Sequence, residues 1–232
     1  MSIEQLVLTR GLRQSRGTLD AWSRHPFRTV GPWVLLSFLI AVALLYSVYA
    51  VAKFSTPDLT VYGAPGIGRP AAGWLDARQI LFRNTLVLAL HAMVCVAVFI
   101  VTSSLPQEAA RMTGFWRWVH DKAGGLALLF VAAATLFSLL TQVYALGGGT
   151  ANLAALLGTR PSVLLLTLLP HALPELTAVF LPLAACLVAS ARRQTDELLA
   201  ATFVTVAIGL PVLLLTATIE VHFTPMLLNR IS

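Results

Sequence analysis

Charge is what this chain has least of. Only 11% of its 232 residues are Asp, Glu, Lys or Arg, against about 25% in a typical soluble domain. So few charges cannot cover a water-facing surface, which excludes a soluble globular domain and points to an integral membrane protein. Lysine is nearly absent, and the basic residues are almost all Arg. Cysteine is scarce too: Cys95 and Cys186 both fall in apolar runs and read as core or lipid-facing fillers, neither a disulfide nor a metal pair. No Gly-x-Ser-x-Gly or His-Glu-x-x-His string occurs, so the two commonest hydrolytic motifs are missing. What fills the chain instead is apolar: 57% of residues are hydrophobic and the mean hydropathy is +0.80. The net charge of +6 then belongs to membrane topology and anionic head groups, and nucleic acid is not an expected partner.

The apolar runs predict an all-α, polytopic helical bundle of about five transmembrane helices. Residues 1–31 form a basic cytoplasmic leader, and 32–232 the membrane domain. In the leader, Ile3, Leu6, Val7, Leu12, Leu19 and Trp22 make a loose apolar stripe. Arg10, Arg13 and Arg16 step along another face, as in a helix lying on a membrane surface; a positively charged topology signal with little order is the alternative reading. The first span runs from Pro32, suited to a first helical turn, to Ala52. Ala50-Val51-Ala52 resembles a signal-peptidase site, but the long region before the apolar core favours an uncleaved anchor. Residues 53–80 read as a glycine- and proline-rich loop. Its Gly63–Gly68 string has no following Lys-Ser/Thr and is an ordinary turn, not a phosphate loop.

The second span is Ile80–Thr102, with Asn84 near its start and His91 near its middle. Pro106–Lys122 interleaves aromatic and basic residues, as an interfacial belt does. The third span is Gly124–Leu146, ended by Gly147, Gly148 and Gly149, and a short interfacial piece containing Asn152 follows. The fourth apolar run, Ser162–Ala191, contains no Lys, Arg or Asp and is too long for one span. Pro170 and Pro174 predict a break in it, with the spanning part starting near His171. The fifth span is Leu198–Ile219. With the N-terminus inside, Arg10, Arg13, Arg16, Arg24, Arg28, Arg111, Arg117, Lys122, Arg192 and Arg193 lie inside. Lys53, Arg69, Arg78, Arg83, Arg160 and Arg230 lie outside, a bias that favours N-in.

Under that topology the start of the fourth span and the end of the fifth meet at the outer face. The candidate site is therefore an intramembrane polar group of His171, Glu175, Glu220 and His222, with Pro170, Pro174 and Pro225 shaping the backbone. Asn84, His91 and Asn152 are secondary candidates. His171 and Glu175, four apart, share a helix face. A carboxylate in the bilayer is costly and usually pairs or serves a function. Three readings compete: a hydrogen-bonded knot fixing the last two spans, a site for a proton, ion or polar substrate, and a metal site for hydrolysis. The last lacks the spacing that supplies two ligands and a base from one turn. No catalytic, cofactor-binding or metal-ligating residue is assigned, and no cofactor is expected.

Two motifs carry a resemblance. Pro170-His171-Ala172-Leu173-Pro174-Glu175-Leu176-Thr177-Ala178 resembles the Pro-His-Gly-x-x-Glu-x-x-Ala signature of the stage II sporulation protein M family. Ala217-Thr218-Ile219-Glu220-Val221-His222-Phe223-Thr224-Pro225 is similar to that family's terminal Ile-Glu-x-x-x-Thr-Pro. Phe82-Arg83-Asn84 and Gly147–Gly158 match its layout. Ala172 in place of Gly, and the added Pro174, depart from it. The resemblance covers most of the chain after about residue 75.

The resemblance implies a multi-pass protein of a bacterial or archaeal cytoplasmic membrane, of a family with no established enzymatic activity. Such a protein acts as a scaffold or assembly subunit of cell-envelope machinery. Its implied partners are the bilayer and other membrane or envelope proteins, peptidoglycan hydrolases among them. The alternative is a permease-like or channel-like transporter subunit, whose partner would be an ATPase. A homo-oligomer is compatible with either.

Overall fold

The computed structural model describes residues 7–58, 73–109 and 113–230. The described residues are almost all helical, with no strand among them. In chain order the helices are α1 (Val7–Ser23), α2 (Pro26–Phe54), α3 (Trp74–Ala109), α4 (Gly114–Leu156), α5 (Pro161–Ala191), α6 (Leu198–His222) and α7 (Thr224–Leu228), with a 3₁₀ turn at Thr195–Glu197 before α6. The glycine-rich string of the 53–80 loop lies outside the described residues, as do the side chains of the aromatic and basic belt before the third span.

Among the described residues, four helices are long and apolar enough to cross a membrane: Pro26–Phe54, Trp74–Ser103, Pro161–Ala191 and Thr195–His222. α4 holds the expected third span within its 43 residues. It starts just after α3 ends, and its Gly147 reaches Val48 and Val51 near the far end of α2. Among the described residues, α4 therefore packs with these four helices in one bundle. At one end the start of α2 packs Trp33 against Leu181, Ala185 and Ala201, while Cys95, Val98 and Phe99 of α3 meet Cys186, Ala189, Leu198 and Leu199. This is the basic end, with Arg24, Arg28, Arg192 and Arg193. At the other end the Asp58 backbone N–H donates to Asn152 Oδ1 at 2.8 Å.

Small residues let the central helices close up. Ala184, Ala185, Ala200 and Ala201 are completely buried between α5 and α6, as expected where lipid tails give no hydrophobic push and only close packing holds helices together. Outward faces carry exposed Leu35, Leu90, Leu166 and Leu215, which suit lipid. Both cysteines are free and buried, the role expected of them.

The structure corrects four expectations. First, the fourth run does not break: α5 is one helix with Pro170, Pro174 and Pro182 inside it. Each proline frees the carbonyl four residues back, and neighbouring helices can accommodate such freed groups. For Pro182 that carbonyl is Ala178, which faces Gly209 of α6, 3.5 Å from where a Cβ would stand. Second, Gly147, Gly148 and Gly149 do not end the third helix. α4 continues to Leu156 and stops at Gly158, whose φ of +63° suits a left-handed cap. The N–H groups of Gly158 and Thr159 turn back to Ala155 and Ala154. A Cβ at Gly147 would fall 2.5 Å from Val51, so this glycine serves the α2–α4 crossing. The expected interfacial piece is thus the last turns of α4. Third, Pro26 and not Pro32 occupies the first turn of α2. Fourth, α1 docks through its small residues: Gly11 abuts Leu199 and Phe99, Ser15 is buried, and Leu12 of the expected stripe is exposed.

Candidate functional site

At the end of the bundle away from the basic cluster, α3, α5, α6 and α7 bring polar side chains together. His171 and Thr224 are each only 7% exposed. His171 Nδ1 and Thr224 Oγ1 are hydrogen-bonded at 3.0 Å, tying α5 to the short helix that folds back after α6. One turn further along α5, Glu175 faces the Asn84 side chain of α3 and lies within electrostatic reach of Glu220 on α6. Arg83, beside Asn84, is the cation near Glu220. Glu175 Oε2 is buried and has no hydrogen-bond partner among the described residues.

Helical geometry explains which candidates converge. Glu220 and Thr224 are four apart across the α6–α7 junction. Glu220 and His222 are two apart, so they point to opposite sides. His222 is accordingly exposed and does not join His171. Pro170 is exposed as well, and Pro225 sits in the first turn of α7. Pro174 lines an apolar groove with Val34, Phe38, Thr177, Ile208 and Val212, away from the polar group. Asn152 stays at the α2–α4 end, where it receives the Asp58 N–H. The group that forms is His171, Glu175, Glu220 and Asn84, joined by Thr224 and Arg83. Those last two lie in the quoted motifs but were not among the site candidates, although the spacing of Thr224 from Glu220 carries the signal.

A second set of polar contacts continues down α5 toward the basic end. His91 Nδ1–H donates to the Val179 carbonyl at 3.0 Å, and its ring lies 5.3 Å from that of Phe180. Cys95 Sγ–H donates to the Pro182 carbonyl at 3.1 Å. Ser37 of α2 donates through Oγ to the Thr177 carbonyl. Asn84, Leu88, His91 and Cys95 form one stripe of α3, at spacings of four, three and four residues, laid along α5. The carbonyls they use already belong to a helix, and a second lone pair on each oxygen accepts the extra bond. In the bilayer such bonds are worth on average about 0.6 kcal/mol each. Their main result is a fixed register for α5 against α2 and α3.

These features define the class: a multi-pass helical membrane protein whose central helix is locked to its neighbours by polar side chains. Among the described residues no three His, Cys, Asp or Glu groups are arranged to hold a metal ion. Compared with protein-family models, curated proteins and solved structures, the chain matches none of them.

Proposed function

We propose that this protein is a non-enzymatic scaffold or assembly subunit of cell-envelope machinery. In this reading it sits in a bacterial or archaeal cytoplasmic membrane, as the resemblance to the stage II sporulation protein M family implies, with its N-terminus inside, as the distribution of basic residues favours. One observation supports it most: His171 Nδ1, His91 Nδ1, Cys95 Sγ and Ser37 Oγ are each hydrogen-bonded to another helix. Groups committed to such bonds brace a bundle and are not free for a passing solute. A braced bundle with lipid-facing flanks suits a part that positions other proteins. Affinity purification of the intact chain in a gentle detergent, with mass spectrometry of what accompanies it, tests the reading. A stoichiometric envelope enzyme, such as a peptidoglycan hydrolase, is the expected result. An ATPase in its place would overturn it.

A second reading has its own observation. The unpartnered Oε2 of Glu175, with Glu220 nearby, is the arrangement a proton or cation site would need. In that reading the chain is a permease-like or channel-like subunit. Glu175→Gln would then abolish flux while leaving the fold intact.

A further inference from the structure

The basic end of the bundle holds a cavity that neither reading uses. It measures about 300 Å³ and lies where α1, the start of α2, the end of α5 and the turn before α6 meet. Trp22, His25, Arg28, Trp33, Arg192 and Glu197 line it. Three features decide what it would take.

The first is charge. Arg28, in α2, and Arg192, at the C-terminal cap of α5, reach the same space. Glu197 faces Arg192 and offsets it. Among the described residues no carboxylate pairs with Arg28, so Arg28 and Arg192 against Glu197 leave the cavity a formal excess of one positive charge. A guanidinium fork matches phosphate oxygens bidentately.

The second is depth. Trp33 is almost wholly buried beside Leu181, Ala185 and Ala201. Trp22 packs edge-on against it, ring centroids 5.2 Å apart and planes at 75°. Tryptophan at the end of a span marks the head-group level of the bilayer.

The third is the surface next to Arg28. Gly31 and Leu35 follow it by three and seven residues, hence on the same side of α2. Together with Phe27, Val30, Val34 and Phe38 they shape an apolar hollow of about 450 Å³, and Phe27 is 91% exposed. A soluble anion would fill the charged cavity and leave this hollow empty. An amphiphile with a phosphate head and an acyl chain would fill both.

We propose that this cavity binds the phosphate head group of an anionic phospholipid, with one acyl chain lying along the Phe27–Phe38 face of α2. Arg28 and Arg192 hold the phosphate, and the Trp22–Trp33 pair closes the membrane side. The proposal rests on the membrane class of the protein and is independent of the scaffold or transport reading.

Native mass spectrometry of the full chain, released from micelles containing equal phosphatidylglycerol and phosphatidylcholine, tests it. The wild type should retain one phosphatidylglycerol per chain in preference to phosphatidylcholine. The double variant Arg28→Gln with Arg192→Gln should lower that preference roughly tenfold or more. Arg28→Lys with Arg192→Lys keeps the charge and should retain much of the preference. Arg160→Gln, at the opposite end, should leave it unchanged. Equal loss in Arg160→Gln, or none in the double Gln variant, overturns the proposal. Displacement of the bound lipid by excess inorganic phosphate would overturn the lipid assignment in favour of a soluble phosphate. Thermal unfolding of each variant, matched to the wild type, confirms that the fold is not what changed.

Discussion

Removing one hydroxyl should loosen the end of the bundle. Thr224 and His171 are each 7% exposed and joined by a 3.0 Å hydrogen bond. Thr224→Val keeps the shape and deletes the partner, leaving Nδ1 of His171 buried and unsatisfied. An interhelical bond in a bilayer is worth about 0.6 kcal/mol on average and about 1.7 at most. Leaving its partner buried and unsatisfied costs about 1–3 kcal/mol. Thr224→Val should therefore destabilise by about 1–3 kcal/mol. His171→Leu removes the other half, and the double variant should lose less than the sum of the two. A coupling energy of about 0.6–1.5 kcal/mol is expected. The assay is reversible unfolding in mixed micelles followed by tryptophan fluorescence. Single effects that add within about 0.3 kcal/mol would refute the reasoning, because uncoupled sites behave that way.

Four further outcomes follow from the structure. Gly148→Ala places its Cβ in open space and should gain about 0.5–1 kcal/mol of helix propensity. Gly147→Ala drives its Cβ into Val51 and should fall at least about 1 kcal/mol below it, with Val51→Ala restoring part of the loss. Arg193, at φ 57°, caps α5 where glycine is usual, so Arg193→Gly should raise stability by up to about 1 kcal/mol in the same unfolding assay. Cys95 and Cys186 are buried and should resist a maleimide in micelles, then both react after denaturation; rapid labelling of the folded protein would contradict the packing of α3 on α5.

The membrane class and most of the helices were legible because bilayer crossing needs long apolar runs, and these stand out against so little charge. The meeting of His171, Glu175 and Glu220 was legible for a related reason: polar residues are so rare in these runs that they have few partners except one another, whereas Asn84 stood only as a secondary candidate and was not placed with them. What the sequence hid was local backbone behaviour. Pro170 and Pro174 read as a break because proline costs about 3 kcal/mol in an isolated helix. In the bundle, neighbouring helices hold α5 together across them. Gly147 read as a stop, yet it is the point where α4 needs no side chain against Val51. His222 was grouped with Glu220 by nearness in sequence, while the helical repeat sends it outward. The docking of α1 through Gly11 and Ser15 left almost no trace, since small residues carry no amphipathic signal.

The central claim is that the polar residues of α3 and α5 brace the bundle and do not carry a solute. Glu175 is where that claim is most exposed, because one of its oxygens has no partner. The direct measurement is proton and monovalent-cation flux in proteoliposomes, for the wild type and for Glu175→Gln with its fold verified by unfolding. The account predicts no flux above protein-free liposomes for either protein. A wild-type flux that vanishes in a folded Glu175→Gln would contradict it.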